Sequence, residues 1–363
     1  MSTFGLEEEF FLLDPKTLQP ANIGSQVLND LSTQAFGGGG RATAEFLESQ
    51  VEFTTGIFTS LAEAEGDLRA FRIRLATLAR SQNSIAAGTG TPFDTSTLPV
   101  LTDKARYRVI ESELRGAVGD HQISGTHVHI GVPDRDAGVE ALNRMRVWLP
   151  TLLALTGNSP FWRGSDTGFD SWRAVLLRRW PTNGCPPVFN DATDYGRRIR
   201  ELVGVGATPD TAAIGWSARL SESHPTLEVR VADAQLDSGA TALFVALTRG
   251  LVETALAEAE AGTAPLNVSP ELLDAALWHA ARDGIRGELL DPITRERQSA
   301  RAVVQTMLRH IEAALAETGD GPRVADLLEG LWQRGSGADR QRRAYRHGGP
   351  SALGVLLNSS VTT

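Results

Sequence analysis

The chain is nearly devoid of cysteine and of lysine. Cys185 is the single cysteine among 363 residues, so an internal disulfide framework and a thiolate metal cluster are both excluded. Lys16 and Lys104 are the only lysines, which disfavours chemistry built on a phosphate-loop lysine or a Schiff base. Almost all of the positive charge is therefore arginine, whose planar fork suits carboxylates and phosphates. Positive charge is also in deficit overall. A net charge of −9 and a pI near 5.4 argue against a general nucleic-acid binder and against a partner of anionic membranes. No apolar run is expected to reach membrane-spanning length and no signal-peptide pattern opens the sequence, so a cytoplasmic location is expected. Signatures of several common enzyme plans are missing as well: GxxxxGK(S/T), GxSxG and HExxH do not occur. Cys185 lies between Gly184 and Pro186 with no evident His partner.

What remains is ordinary globular composition, 41% hydrophobic and 22% charged, in a chain long enough for a substantial core. Apolar residues at Leu61, Ala64, Leu68, Phe71, Leu75 and Leu78 recur at helical spacing and predict a helix over 60–81. Other helices are expected at 21–33, 103–117, 136–156 and 192–203, and strands at 5–13, within 42–55, at 85–88, 123–132, 212–219 and 226–232. Gly37–Gly40 is expected to be a surface connection. Residues 158–187 read as a long loop, of the kind that is more often functional than filler. From residue 238 the pattern turns helical (239–261, 270–283, 297–317, 322–334) and closes in a polar tail. One catalytic domain is expected over 1–363, with residues 1–237 as the sheet-forming core and 238–363 as a helical part of the same unit.

The chemistry is concentrated on the expected strands. In Gly5-Leu6-Glu7-Glu8-Glu9-Phe10, alternation puts Glu7 and Glu9 on one face and Glu8 on the other. Half-buried like charges repel unless a cation lies between them or one is protonated. Glu45, Glu52, His127, His129 and Glu228 add to this set from other strands. Carboxylates with an imidazole match the oxygen-rich donor set of Mg²⁺ or Mn²⁺ holding a nucleotide triphosphate. His127-Val128-His129 also allows a zinc site, and either histidine could instead be a hydrogen-bonded core residue. Glu228 and Arg230 share a strand face, either as a structural ion pair or as metal ligand and phosphate contact, with Asp233 placed to fix the arginine. Arg163 and Arg173 sit among aromatic residues and glycines, where a substrate carboxylate or an adenine face would fit, or where the charge is simply solvated.

Taken together, GLEEEF (5–10), EFLESQVE (45–52), SGTHVHIGVPD (124–134), NSPFWRGSDTGFDSWR (158–173), RRWPTNG (178–184), LEVRVAD (227–233) and WHAARDG (278–284) resemble the carboxylate–amine ligase branch of the glutamate–cysteine ligase type 2 family. The resemblance implies an α+β, glutamine-synthetase-like fold, a curved antiparallel sheet with helices packed on its outer face, and ATP with Mg²⁺ (or Mn²⁺) at the open face. It implies Glu7, Glu9, Glu45, Glu52, His127 and Glu228 as metal ligands, with Glu52 also read as catalytic. Arg230 becomes the catalytic contact to the transferred phosphate and part of the ATP site, and Arg173 a contact to a substrate carboxylate. Arg173 follows Trp172 where the family pattern has Tyr. Arg163 joins it as a substrate-binding candidate, whereas Glu48 and His129 lie in matching motifs without an assigned role. The implied reaction is ATP-dependent amide formation through an acyl phosphate between small molecules, with glutamate's γ-carboxylate as donor and cysteine the acceptor that the family name suggests. No nucleic-acid or membrane partner is expected, and a homo-oligomer is left open. A zinc hydrolase built on His127 and His129, and a non-catalytic member of the fold, are the alternatives.

Overall fold

A computed structural model describes residues 1–32 and 37–363. In chain order the strands are β1 (Phe4–Leu13), β2 (Arg41–Ala44), β3 (Gln50–Thr54), β4 (Ile85–Ala87) and β5 (Gly125–Gly131). After them come a short hairpin of β6 (Phe161–Trp162) and β7 (Ser165–Asp166), then β8 (Ala218–Leu220) and β9 (Thr226–Asp233). Among the described residues, seven strands form one sheet in the order β2-β3-β1-β5-β9-β8, with β4 beside the far end of β1. Every pairing in it is antiparallel.

The helices are α1 (Gly24–Ser32), α2 (Leu61–Ser81), α3 (Ala105–Leu114), α4 (Arg135–Met145), α5 (Leu149–Thr156), α6 (Trp172–Leu177) and α7 (Ala192–Gly204). The C-terminal third adds α8 (Ser238–Glu260), α9 (Pro270–Asp283), α10 (Ala300–His310), α11 (Glu312–Thr318), α12 (Gly321–Arg334) and α13 (Gly337–Ser360). The fold is thus α+β, an antiparallel sheet with its main helical layer on one face and α13 packed against one end of the other.

Alternation along the strands decides which face is which. Leu6, Phe10 and Leu12 of β1, Val51 and Phe53 of β3, and Val128 and Ile130 of β5 belong to the main core, together with Leu68, Phe71 and Leu75 of α2. Phe53 and Phe71 stack with ring centroids 3.9 Å apart. Phe11 and Leu13 point the other way into a second apolar cluster with Phe46, Phe93 and Leu353. Glu8, on the helical face, is fully buried. It accepts hydrogen bonds from Nε of Arg72 on α2 at 2.9 Å and from Thr241 Oγ1 on α8 at 2.5 Å, which ties strand, α2 and α8 together.

Several expected boundaries move. The first short helix ends at Ser32, and residue 33 of its expected span lies outside the described residues. Glu45 is not on a strand, because β2 stops at Ala44 and the chain turns before β3. The helix expected over 136–156 is interrupted by one tight turn at Arg146–Trp148, immediately before Pro150, whose ring lacks the N–H a continuous helix needs there. The strand expected at 212–219 shrinks to Ala218–Leu220, and the helix at 297–317 begins as a strand at Arg297–Ser299 and then divides into α10 and α11. The expected loop at 158–187 holds the β6–β7 hairpin and α6. The polar tail is a helix, α13, broken at Gly348-Gly349-Pro350 where Gly349 takes a φ of +60°. By length and composition α8 does reach membrane-spanning size, contrary to expectation; 72% of its apolar window is buried inside the protein, as in a core helix.

One irregularity shapes the site. Thr126 pairs with Ala232 but Val128 pairs with Val229, so β9 carries one extra residue opposite His127. Residues directly opposite each other on neighbouring strands share a face. Glu228 lies opposite His129 and Asp233 opposite Gly125. The bulge therefore brings both acids to the same face, although an odd separation would otherwise put them on opposite sides.

Candidate active site

On the face away from the core helices, register pairs the acids directly. Glu7 is opposite His127, Glu9 opposite Glu52, and His129 opposite Glu228. Glu7, Glu9, Glu45, Glu52 and His127 line a cavity of about 400 Å³ together with Arg173 and Arg230. Its remaining wall includes Phe46, Tyr107, His121 and Trp180. Glu228 is buried beside this set, and its Oε1 is 3.9 Å from His127 Nδ1 and 4.0 Å from His129 Nε2.

The imidazoles sit among the acids. Nδ1 of His127 is 3.0 Å from Glu7 Oε2, which only accepts, and 3.3 Å from Arg230 Nη1, which only donates, so it meets an acceptor and a donor at once. Its Nε2 is 3.8 Å from Glu9 Oε1. Burial and the Arg230 guanidinium hold His127 down at about 4, so the ring is neutral at pH 7. His129 contacts Thr226 Oγ1 through Nδ1 at 2.9 Å. Its Nε2 is buried with no hydrogen-bond partner, 3.6 Å from Glu7 Oε1.

The carboxylates divide by their neighbours. Burial would raise Glu7, but the hydrogen bond from His127 and the closeness of His129 keep it well below the usual carboxylate range. Burial likewise works against Glu228, yet Arg230 and Arg219 hold it ionised; Arg219 Nε donates to its Oε2 at 2.8 Å and Arg230 Nη1 donates to Oε1. Glu9 and Glu45 are pushed up to about 7, first by burial and then by neighbouring charges that include each one's nearby acid, Glu52 and Glu9 respectively. Glu52 rises to about 8 through burial and the repulsion of Glu45 and Glu7. Three half-buried acids thus crowd one another on a shared wall, where a positive charge would relieve their repulsion.

These residues fit a divalent cation. One donor atom each from Glu7, His129 and Glu228 lies within 4.8 Å of the others, and His129 Nε2 is an orphaned buried atom facing them. The set is carboxylate oxygen with imidazole nitrogen and no thiolate, which suits a hard cation. His129 thus belongs to the cluster; the alternation of His127 and His129 was the signal for it. Arg219 carried no such signal, because β8 is only three residues long.

Arg173 is buried at the cavity wall, whereas Arg163 is not part of it. Arg163 and Gly164, with φ of +51° and +75°, form the two-residue turn of the β6–β7 hairpin. The turn directs the Arg163 side chain outward, where its Nη2 donates to Asp120 Oδ1 at 2.8 Å. Asp233 is also placed differently from expectation: its charged neighbour is Arg173, with Nη1 to Oδ1 at 4.0 Å, and not Arg230.

The sequence model for glutamate–cysteine ligase family 2 matches residues 3–354. The chain belongs to this family. A candidate glutamate–cysteine ligase 2-2 of Saccharopolyspora erythraea is 39% identical over 360 residues, covering 99% of this chain and 92% of that protein. A candidate glutamate–cysteine ligase 2-1 of Nocardia farcinica is 39% identical over 344 residues, covering 94% of this chain and 88% of that protein. Among solved structures, a glutamate–cysteine ligase from Francisella tularensis in complex with AMP superposes with a TM-score of 0.68 at 14% identity, over 99% of this chain and 88% of that one. A bifunctional glutathione synthetase from Pasteurella multocida gives 0.67 at 15% identity, over 99% and 52%. At such identities the structural likeness speaks for the fold. Family membership makes the protein a glutamate–cysteine ligase-like carboxylate–amine ligase, an ATP-dependent enzyme that forms a carbon–nitrogen bond between small-molecule substrates. The zinc-hydrolase and non-catalytic alternatives give way to this assignment.

Proposed function

We propose that this family 2 ligase activates a carboxylate as an acyl phosphate and transfers the acyl group to an amine, with glutamate's γ-carboxylate as donor. A donor oxygen attacks the γ-phosphorus of ATP and the bond to ADP breaks. The amine nitrogen then attacks the acyl carbon, the carbon–oxygen bond to phosphate breaks, and the nitrogen loses a proton. The observation that carries this reading is the shared cavity of Glu7, Glu9, Glu45, Glu52 and His127 beside Arg173 and Arg230. No side chain has to act as a covalent nucleophile in this scheme; positioning and charge neutralisation suffice.

Glu7, Glu9, Glu45, Glu52, His127 and Glu228, with His129 added, are the proposed holders of Mg²⁺ (or Mn²⁺), which when bound would neutralise triphosphate charge. Glu52, the most strongly raised of the three elevated acids, is the proposed acid most dependent on that charge. Arg230 is assigned to the transferred phosphate and Arg173 to the donor carboxylate; Arg163 is withdrawn. Residues 1–363 are proposed to act as one catalytic unit, a reading supported by a core cluster running from Phe4 to Val361.

An ADP-release assay with L-glutamate, ATP, Mg²⁺ and a panel of amines including L-cysteine tests the scheme, with products weighed by mass spectrometry. One ADP and one phosphate per γ-glutamyl amide are expected. Formation of AMP and pyrophosphate, or of amide without ATP consumption, would sink it.

A further inference from the structure

Asp233 is held by three hydrogen bonds close to the cavity. It is fully buried at the end of β9. Its Oδ2 accepts from the Asn158 backbone N–H at 2.8 Å and from Ser159 Oγ at 2.7 Å, and its Oδ1 accepts from Ser171 Oγ at 2.8 Å. Both serines also hold the segment that carries Arg173. Ser159 Oγ accepts from the Arg173 backbone N–H at 3.0 Å, and Ser171 Oγ accepts from Ala174 N–H at the start of α6.

The guanidinium of Arg173 is left unusually open. Asp233 Oδ1 is 4.0 Å from Nη1, near enough for charge attraction but too far for a hydrogen bond. Nη2 reaches the Arg230 carbonyl at 3.3 Å and Nη1 the Val231 carbonyl at 3.5 Å, both long. Nε is buried and has no partner. Space is cleared for this arrangement on both sides. A Cβ on Gly125 would come within 2.4 Å of Arg173 Nη2, and one on Gly90 within 2.7 Å of the Asp233 carboxyl carbon.

We infer that Asp233 is a positioning residue: it fixes the Arg173 fork by charge and through Ser159 and Ser171, while leaving the fork's donors free for the carboxylate of the donor substrate. The inference rests on the proposed role of Arg173 and adds the residue that makes the role geometrically exact in the folded chain. An arginine satisfied by a contact ion pair would have to give up a partner to bind substrate. Held at 4.0 Å, Arg173 gives up no charged partner, only two long bonds to carbonyls. Without the Asp233 charge, Glu9 is left as the carboxylate that attracts the guanidinium, and it would draw the fork toward the acidic cluster.

The test is binding of L-glutamate by isothermal titration calorimetry, with KM and kcat from ADP release, for the wild type, Asp233→Asn, Arg173→Ala and the double variant. Asp233→Asn keeps an acceptor for the serines and removes the charge. The expected result is at least a tenfold weaker Kd and higher KM for L-glutamate, with kcat within threefold and KM for ATP unchanged. The double variant is expected to be no worse than Arg173→Ala alone. If Arg173→Ala weakens L-glutamate binding and Asp233→Asn does not, the inference fails while the role of Arg173 stands. If Arg173→Ala leaves binding unchanged, or the wild type binds no L-glutamate, both fall. Should Asp233→Asn not fold, Ser159→Ala and Ser171→Ala decide: a twofold to fivefold weaker Kd at native melting temperature supports the inference, and an unchanged Kd overturns it.

Discussion

Three consecutive glutamates on β1 meet opposite fates. Glu8 faces the helices and is closed off by Arg72 and Thr241, so its charge is fully compensated in the dry interior. Glu7 and Glu9 face the cavity, where Glu9 shares its surroundings with Glu45 and Glu52 and the three acids are raised to between about 7 and 8. The same side chain on the same strand is therefore a structural rivet on one face and one of a crowd of like charges on the other. Burial alone does not distinguish them, because both faces are largely buried. What distinguishes them is whether the protein itself supplies the opposite charge. An ion pair complete within the chain holds the fold; a cluster without its own counter-charge is what the proposed cation would serve.

The contrast can be broken from either side. The largest effect is expected on the helical face: Arg72→Met strands Glu8 as an unpaired buried charge and should cost about 3–5 kcal/mol of unfolding free energy in a urea titration. ADP release per folded molecule should change little. On the cavity face the pattern should invert. Glu52→Gln should reduce ADP release at least ~100-fold, about 2.7 kcal/mol of transition-state stabilisation, with a melting temperature unchanged or higher because a repelled carboxylate is gone. Unchanged activity in that variant would remove Glu52 from the metal set.

A pH titration of the metal-free protein gives a third, smaller effect. Glu9, Glu45 and Glu52 bind protons more tightly in the folded chain than in the unfolded one, where their ordinary value is 4.5. The folded state thus holds more protons between that value and about 8, and stability falls as pH rises through the interval. His127, depressed from 6.5 to about 4, acts in the opposite sense below 6.5. Glu7 and Glu228, held low, contribute stability that is lost only under acid conditions. The clean window is therefore pH 6.5–8. Melting temperature is expected to fall across it, and added Mg²⁺ should raise it more at pH 8 than at pH 6.5. A flat profile in that window would mean the acids are not frustrated. The smallest effect belongs to Arg163→Ala, whose exposed pair with Asp120 should contribute no more than about 0.5 kcal/mol. L-Glutamate KM should be unchanged in this variant; a clear rise would return Arg163 to the site.

Much of the site was legible because strand geometry is local. The two-residue period placed Glu7 with Glu9 and His127 with His129 without reference to any other part of the chain. Glu45 lines the same cavity from a different element than the strand pattern suggests, since it follows β2 in the turn. Arg163 lies outside the cavity because a left-handed turn points its side chain away, which proximity in a motif does not reveal. The final helix is hidden in the sequence because Gly348-Gly349-Pro350 interrupts its pattern and its polar face dominates the composition. Yet α13 matters near the site: Gln341 donates to the Asn158 side chain, whose backbone N–H holds Asp233.

By itself, the sequence determined which acids and histidines face the same side of each strand, because backbone alternation needs only neighbouring residues. It also determined the family, through motifs set in order along the chain. Only the tertiary structure decided which of those faces meet, how far apart their charges lie, and that an extra residue in β9 turns Asp233 toward Arg173. Those outcomes depend on strand register and on packing between segments far apart in sequence, and no local pattern encodes either.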